Sequence, residues 1–394
     1  MKKKQYVESR LFLDFKLWGK KERPLAHLDL ELTERCNNNC IHCYINQPEE
    51  DSSTEQRELS TDKIKAILTE AADLGCITVR FSGGEPLLRQ DFAELYLYAR
   101  HLGLKVIIFT NGTLLTPELV ALFAGIPPLK KIQISLYGIK QKTYETISRV
   151  PGSYAAAMRG IKLLLSSKIP FVVKTVFLPQ NKNEIYELEA WAHKNIPWMD
   201  KKTDMIINFD LRGRRDSEAK NRTIKNFRLT ADGEIQLLYA KHDDHVREMK
   251  RFFASFSGPK GPDLFSCGAG QKAACVDAYG KVQACMLLRH PKMTYDLSRG
   301  SLKEAMDIFF PKILNKKAED PHYLLKCAQC FLIDLCESCP AKAWMEYGVI
   351  DRPVDYYCHL THAQARCLGL LNENEKAWEV RDWKVRIKRF LQSE

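Results

Sequence analysis

Cys36, Cys40 and Cys43 stand close together, separated by three residues and then by two. They follow an alternating run, Leu28-Asp29-Leu30-Glu31-Leu32, so the loop begins where a strand ends. A loop of this length can present three thiolates to one face of an iron–sulfur cubane. Such clusters are ordinarily held by four cysteines, so three leave one iron open to a substrate or cofactor. Plainer readings compete. Three buried thiols can pack as small hydrophobes. Zinc wants four protein ligands, or three and a water, and the nearest fourth candidate, His42, lies between two of the cysteines. Disulfides are disfavoured by the odd total of 13 cysteines and by the lack of an apolar leader after Met1-Lys2-Lys3-Lys4.

A second motif, Ser82-Gly83-Gly84-Glu85-Pro86, follows another apolar run, Ile77-Thr78-Val79-Arg80-Phe81. Two glycines after a strand permit positive φ and a close approach of backbone to a ligand. Alone, Gly-Gly-Glu-Pro is a tight turn. One β/α unit after a CxxxCxxC loop, it resembles the radical SAM superfamily. That resemblance implies a [4Fe–4S] cluster on Cys36, Cys40 and Cys43, with S-adenosylmethionine (SAM) chelating the open iron. One electron then cleaves the S–C5′ bond, and the 5′-deoxyadenosyl radical takes a hydrogen from an unactivated C–H. It further implies that Gly83, Gly84 and Glu85 line the SAM amino group. Thr110-Asn111-Gly112, Ser135 at the end of the fourth strand and Arg149 after it match segments that contact SAM in the family, which makes Asn111, Ser135 and Arg149 further cofactor contacts.

Nine of the 13 cysteines fall after residue 262. Cys267, Cys275 and Cys285 surround a hairpin pattern with its turn at Gly280. Cys327, Cys330, Cys336 and Cys339 follow, then Cys358. Paired CxxC motifs also suggest a zinc ribbon, but ribbon knuckles stand roughly 15–20 residues apart, and Cys330 and Cys336 are too close for that. The order, Cys to Gly-x4-Cys to the clustered cysteines, resembles the SPASM domain, with x2 before Cys339 where the family has x3. The resemblance implies two auxiliary [4Fe–4S] clusters, hence three in all. Cys267, Cys285 and Cys339, with Cys275 as the expected fourth ligand, serve the first. Cys327, Cys330, Cys336 and Cys358 serve the second. Cys76 and Cys367 have no place in the pattern and are expected as buried thiols.

These motifs need elements to carry them. Candidate strands are Ala26–Leu32, Ile77–Phe81, Leu104–Phe109, Lys131–Leu136, Phe171–Phe177 and Asp204–Phe209, rich in Val, Ile, Leu and Phe as buried parallel strands are. Helical periods lie between them. One runs from an N-cap at Ser60 through Ile64, Ile67, Leu68 and Ala71 to Gly75. Another carries Phe92, Leu95, Ala99 and Leu102. A third, from Ser153, buries Ala157, Ile161, Leu164 and Leu165. Alternation of this kind predicts an α/β fold, a partial (β/α)6 TIM-type barrel. Active sites of such barrels lie at strand C-termini, where both motifs sit. The expected organisation is an N-terminal extension (1–26), the radical SAM core (27–210), a charged linker or substrate-facing segment (211–262), the SPASM domain (263–367) and a C-terminal amphipathic helix (368–394). That helix is read over Glu373–Phe390, with Trp378, Trp383, Ile387 and Phe390 in one stripe. Basic residues surround the stripe, which is expected to dock on a neighbouring domain.

Composition bounds the rest. An apolar fraction of 45% in 394 residues supplies a sizeable core. No run of about 18 apolar residues suggests a membrane helix, and the cysteine usage suggests a reducing cytoplasm. The formal charge of +11 would fall by roughly five with three clusters bound. What remains is compatible with an acidic peptide or a nucleic acid and demands neither, and no RNA-binding module is recognisable. The SPASM resemblance implies modification of a ribosomally made peptide by crosslink, thioether or oxidation. An electron donor such as flavodoxin or ferredoxin is expected, and a separate peptide-recognition protein is compatible. A small-molecule or cofactor-pathway substrate is the alternative. A non-catalytic electron carrier would need neither the three-cysteine loop nor Gly-Gly-Glu-Pro. A sulfatase maturase should carry Asp after the cysteine matching Cys285, and Met286 stands there.

Overall fold

The computed structural model describes residues 25–199, 205–208, 211, 213, 215, 217–231, 233, 235 and 242–393. Most of the N-terminal extension, and Arg212, Arg214 and Asp216 of the charged segment, lie outside the described residues. The chain divides into two compact units, Met1–Phe227 with Gly268–Pro311, and Arg228–Cys267 with Lys312–Glu394.

Six parallel strands, neighbours in chain order, organise the first unit. They are β1 (His27–Thr33), β2 (Thr78–Gly83), β3 (Lys105–Thr110), β4 (Ile132–Ser135), β5 (Phe171–Val176) and β6 (Ile206–Asn208). Their bounds differ from the sequence reading by a residue or two. Between them run α1 (Thr61–Asp73), α2 (Phe92–His101), α3 (Pro117–Gly125), α4 (Gln141–Ser148), α5 (Ser153–Ser166) and α6 (Ile185–Asn195), and α7 (Glu218–Lys225) follows β6. Right-handed crossovers in chain order put these helices on one face of the sheet. Leu28, Leu30, Leu32, Val79 and Phe81 bury on that face, with Phe81 edge-on to Phe92 of α2 at 6.1 Å. The opposite face is polar although buried, with Asp29, Glu31, Thr33 and Ser82 in alternate positions. A chain that buries polar groups on one whole face of a sheet is reserving that face for a ligand or for charge pairing.

Local rules explain the helix ends. Ser60 accepts the Lys63 N–H at 3.4 Å, and Gly75 turns the chain with φ 91°. The sequence reading passed over α4, a short helix of polar residues that buries only Tyr144, Ile147 and Ser148. Arg149 therefore belongs to this helix. It closes α4 in the left-handed region, with φ 57°. Leu165, expected in the core, is half-buried.

The sheet continues beyond β1. β7 (Ala273–Val276) pairs with β1 in parallel, β8 (Lys281–Gln283) folds back on β7 through Gly280 at φ 83°, and β9 (Thr294–Asp296) adds an edge, for nine strands. The hairpin read from the sequence is present, but it belongs to the first unit because β1 offers it an open edge. The compact units thus cut across the segment boundaries suggested by composition.

The second unit contains α8 (His242–Ala254), α9 (Pro340–Tyr347), α10 (Asp355–Cys367) and α11 (Trp383–Gln392). Its core joins Phe253, Phe331, Leu370, Leu371, Ala377 and Phe390. α11 packs on α8, with Phe390 edge-on to Phe253 at 5.7 Å. The C-terminal helix is shorter than its apolar stripe suggested. Arg386 holds Glu375 at 2.9 Å and Asn374 has φ 64°, so the preceding segment is a folded-back loop carrying Trp378. Cys76 is buried as expected, whereas Cys367, at the end of α10, is only half-buried. No helix among the described residues is long and apolar enough to cross a membrane.

Candidate functional site

The loop Cys36–Cys43 leaves β1 and rests on the end of α4. The Asn39 N–H donates to the Ser148 carbonyl at 2.9 Å, and the Ile41 N–H donates to that of Ile147 at 3.0 Å. These bonds bring the three thiols together. Burial pushes all of them up, Cys40 to about 12, and Cys43 raises both Cys36 and Cys40. Tyr137 and Arg149 oppose the rise at Cys40. The Tyr137 hydroxyl lies 3.7 Å from Cys40 Sγ, and the Asn38 N–H donates to Cys36 Sγ at 3.4 Å. Among the described residues no three His, Cys, Asp or Glu side chains reach the spacing of a single-ion site. A cubane binds each thiolate on a separate iron and needs no such convergence.

Polar atoms around the loop mark a place for a ligand. Ser82 Oγ and His42 Nδ1 are buried without a hydrogen-bond partner. Native interiors rarely leave such groups unmatched. Burial also pulls the His42 ring down to about 4, so it is neutral, and it stands edge-on to Tyr137 at 5.0 Å. These orphaned groups beside three clustered thiols fit a cluster with a bound polar cofactor.

Gly83 and Gly84 have a structural reason as well. A Cβ on Gly83, whose φ is 130°, would overlap the Thr33 carbonyl, and one on Gly84 would overlap that of Arg35. The Gly84 N–H donates to Thr33 at 2.7 Å and the Glu85 N–H to Arg35 at 2.9 Å, which ties this turn to the start of the cysteine loop. Gly84→Ala is therefore expected to cost about 1–3 kcal/mol, as overpacking does, seen as a lower urea midpoint. An unchanged midpoint would show that the Arg35 carbonyl can move aside.

Glu85 has a structural role as well. Its carboxylate is fully buried and already accepts from Thr110 Oγ1 at 2.7 Å, the Asn111 N–H at 2.8 Å and the Leu87 N–H at 3.1 Å. The side chain ties the end of β2 to the end of β3. Burial lifts Glu85 from 4.5 to about 7. The folded state then binds more protons than the unfolded state between those values, so this group makes stability fall as pH rises across that window. Glu85→Gln is expected to flatten the difference between urea midpoints at pH 5 and pH 7.5. An equally steep difference in the variant would assign it to other groups.

Asn111 braces the loop. Its amide donates to Asn37 Oδ1 at 2.9 Å and lies 3.9 Å from Cys36 Sγ, while its oxygen accepts from Thr113. Ser135 ends β4 opposite Lys174 of β5. Four residues that sequence reasoning missed hold the site in shape. Buried Glu58 accepts from Thr33, from Arg35 at 3.0 Å and from Arg89 at 3.4 Å. Buried Arg289 pairs with Glu31 at 2.6 Å, and Asp277 and Glu34 lie at 3.7 and 3.9 Å. Arg80 and Lys174 both lie over the Phe109 ring, at 4.6 and 3.2 Å from its centroid, on the polar face. None has a spacing signal, because each partner comes from a distant segment.

In the second unit, Cys327, Cys330, Cys336 and Cys358 border one cavity of about 30 Å³. Burial and the neighbouring thiols push Cys327 up to about 12 and Cys358 to about 11. Four thiols thus face one hollow. Cys267 and Cys339 line a larger cavity of about 430 Å³, which Cys327 and Cys336 border as well. The other two residues expected with them, Cys275 and Cys285, belong to the first unit. Cys275 is fully buried in β7, in register with Asp29 and Gln283. Burial, with Glu31 and Asp29 nearby, pushes its thiol far up, a setting that disfavours a thiolate.

A mostly parallel sheet in six β/α units, with a three-thiol loop at the end of its first strand, defines a radical-generating α/β enzyme. Residues 30–192 match the Radical SAM superfamily profile. Mycofactocin maturase MftC of Mycolicibacterium smegmatis is 30% identical over 337 residues, 83% of this chain and 81% of that protein. An AdoMet-dependent heme synthase of Methanosarcina barkeri is 37% identical over 157 residues, 39% of this chain; the match spans 43% of that protein. Streptococcus suis SuiB bound to precursor peptide SuiA superposes with TM-score 0.63 at 18% identity, covering 88% of this chain and 78% of that one. The chain belongs to the radical SAM superfamily and is an enzyme, and SAM with a [4Fe–4S] cluster are its cofactors.

Proposed function

We propose that this enzyme is of the SPASM type and oxidatively modifies a ribosomally made peptide. The observation that carries it is the pairing of the three-thiol loop, beside the unpartnered Ser82 and His42, with a separate four-cysteine hollow in the second unit. Cys36, Cys40 and Cys43 hold the first cluster. The backbone of Gly83 and Gly84, with Asn111, Ser135 and Arg149, receives SAM, while Glu85 keeps the two strand ends together. When bound, these cofactors supply a 5′-deoxyadenosyl radical that removes a hydrogen from a C–H. Cys327, Cys330, Cys336 and Cys358 hold one auxiliary cluster. The sequence pattern implies a further auxiliary cluster, with Cys267 and Cys339 of the second unit among its ligands. A relative named as a maturase and a similar fold bound to a precursor peptide support the peptide reading. A flavodoxin or ferredoxin donor, a peptide-recognition partner and a cytoplasmic setting accompany it.

A small-molecule substrate is the second reading. One relative is named as a heme synthase. The experiment is 5′-deoxyadenosine formation by reduced, reconstituted enzyme, with candidate precursor peptides or iron–porphyrin carboxylates added. Peptide-stimulated turnover with a mass change in the peptide supports the first reading. Turnover only with the porphyrin replaces it.

A further inference from the structure

His362 lies one helical turn beyond Cys358 on α10. Its ring is buried, and its neighbours settle its tautomer. The Ala377 backbone N–H can only donate, and it meets His362 Nε2 at 3.1 Å. Nε2 therefore offers a lone pair, and in the neutral ring the proton sits on Nδ1. Nδ1 lies 2.8 Å from the Cys358 carbonyl and 3.6 Å from Cys358 Sγ, so its N–H is shared between oxygen and sulfur. Trp378 stands edge-on to the ring at 5.4 Å and fixes its plane.

The neighbouring thiols are treated alike. The Ser338 N–H donates to Cys336 Sγ at 3.5 Å, and the Thr361 hydroxyl also bonds that sulfur. Lys342, only 4% exposed, lies over the Tyr357 ring at 4.1 Å and acts on Cys336. Lys326 and Lys376 act on Cys358. Donors and cations aimed at cluster sulfurs favour the more negative, reduced state, and hydrogen bonds to sulfur are among the determinants of cluster potential.

We propose that His362 is a positioning residue for the auxiliary centre on Cys327, Cys330, Cys336 and Cys358, a fixed neutral N–H donor to the Cys358 sulfur that raises the centre's reduction potential. This rests on the SPASM reading. It assigns the side chain a role that ligand spacing alone does not reveal.

The test is an anaerobic redox titration, followed by EPR, in protein carrying Cys36→Ala/Cys40→Ala/Cys43→Ala, so that only auxiliary centres report. His362→Phe keeps a ring against Trp378 and removes the N–H. His362→Gln returns an amide donor. At the parent protein's midpoint, His362→Phe is expected to lower the reduced-to-oxidised ratio about tenfold, ~59 mV for one electron, with iron content unchanged. His362→Gln should recover most of that shift. An unchanged or raised potential in the Phe variant overturns the proposal. Should that variant lose iron, the parent protein decides. Labelling its histidines with nitrogen-15 must give a nitrogen coupling to the reduced centre together with an exchangeable proton, and the lack of either overturns the proposal. The underlying reading fails differently: if Cys327→Ala/Cys330→Ala loses no iron, there is no centre for His362 to tune, and both fall.

Discussion

Replacing Cys36, Cys40 and Cys43 together by alanine is expected to abolish 5′-deoxyadenosine formation from SAM, while the protein keeps about eight of about twelve irons. The two halves of this result test different links. Activity depends on the loop because it alone joins three clustered thiols to unpartnered polar atoms on the sheet's polar face. Retained iron depends on the auxiliary cysteines, none of which the substitutions touch. Buried thiols are poor ligands until a metal deprotonates them, so each thiol's upward shift is a cost that cluster binding must offset. Iron quantitation and product chromatography on the same sample give the answer. A triple variant that keeps all its iron would remove the loop from the ligand set. One that keeps its activity would move the radical chemistry elsewhere.

Glu58→Ala is expected to cost about 3–5 kcal/mol, the usual penalty for removing one partner of a buried ion pair. Glu58 is 4% exposed at its side chain, and the two arginines it serves, Arg35 and Arg89, are 10% and 9% exposed. Both keep a second carboxylate, Glu55 at 3.1 Å and Asp91 at 2.7 Å, which puts the expected loss at the lower end. At about 2–4 °C per kcal/mol for a unit of this size, the melting midpoint should fall by roughly 10 °C. Because Glu58 joins Thr33 and Arg35, just before Cys36, to Arg89, just after Gly-Gly-Glu-Pro, iron loading of the loop should fall as well. A loss under about 1 kcal/mol would mean that Glu55 and Asp91 suffice without it.

The parts legible in the sequence were those with a local cause. Thiol chemistry and spacing mark the loop at Cys36 without any knowledge of its neighbours. Period-two and period-3.6 patterns locate six parallel strands and three of their helices, because burial on one face leaves that period in the chain. Ser60, Gly75 and Gly280 act through bonds to residues a few positions away, so they too could be read directly.

Tertiary structure decided whatever depends on a distant partner. Arg289 reaches Glu31 across 258 positions, and nothing in the local sequence of either residue announces the other. The hairpin at Gly280 was visible, but its attachment to β1 was not, since an open strand edge is a property of the sheet. Glu85 is marked by a recognisable motif, but only packing reveals that its carboxylate accepts from Thr110, Asn111 and Leu87. The C-terminal helix looked longer because an apolar stripe records burial and not helicity, and Arg386 with Glu375 bends the first half of that stripe into a loop. His362 reads as an unremarkable residue on a helix until Ala377, 15 positions on, takes its Nε2 lone pair. The sequence by itself thus determined the class of chemistry, because ligand type and spacing are local. Which side chains shape, brace and tune that chemistry was decided only by folding, because hydrogen bonds and ion pairs depend on distance in space and not along the chain.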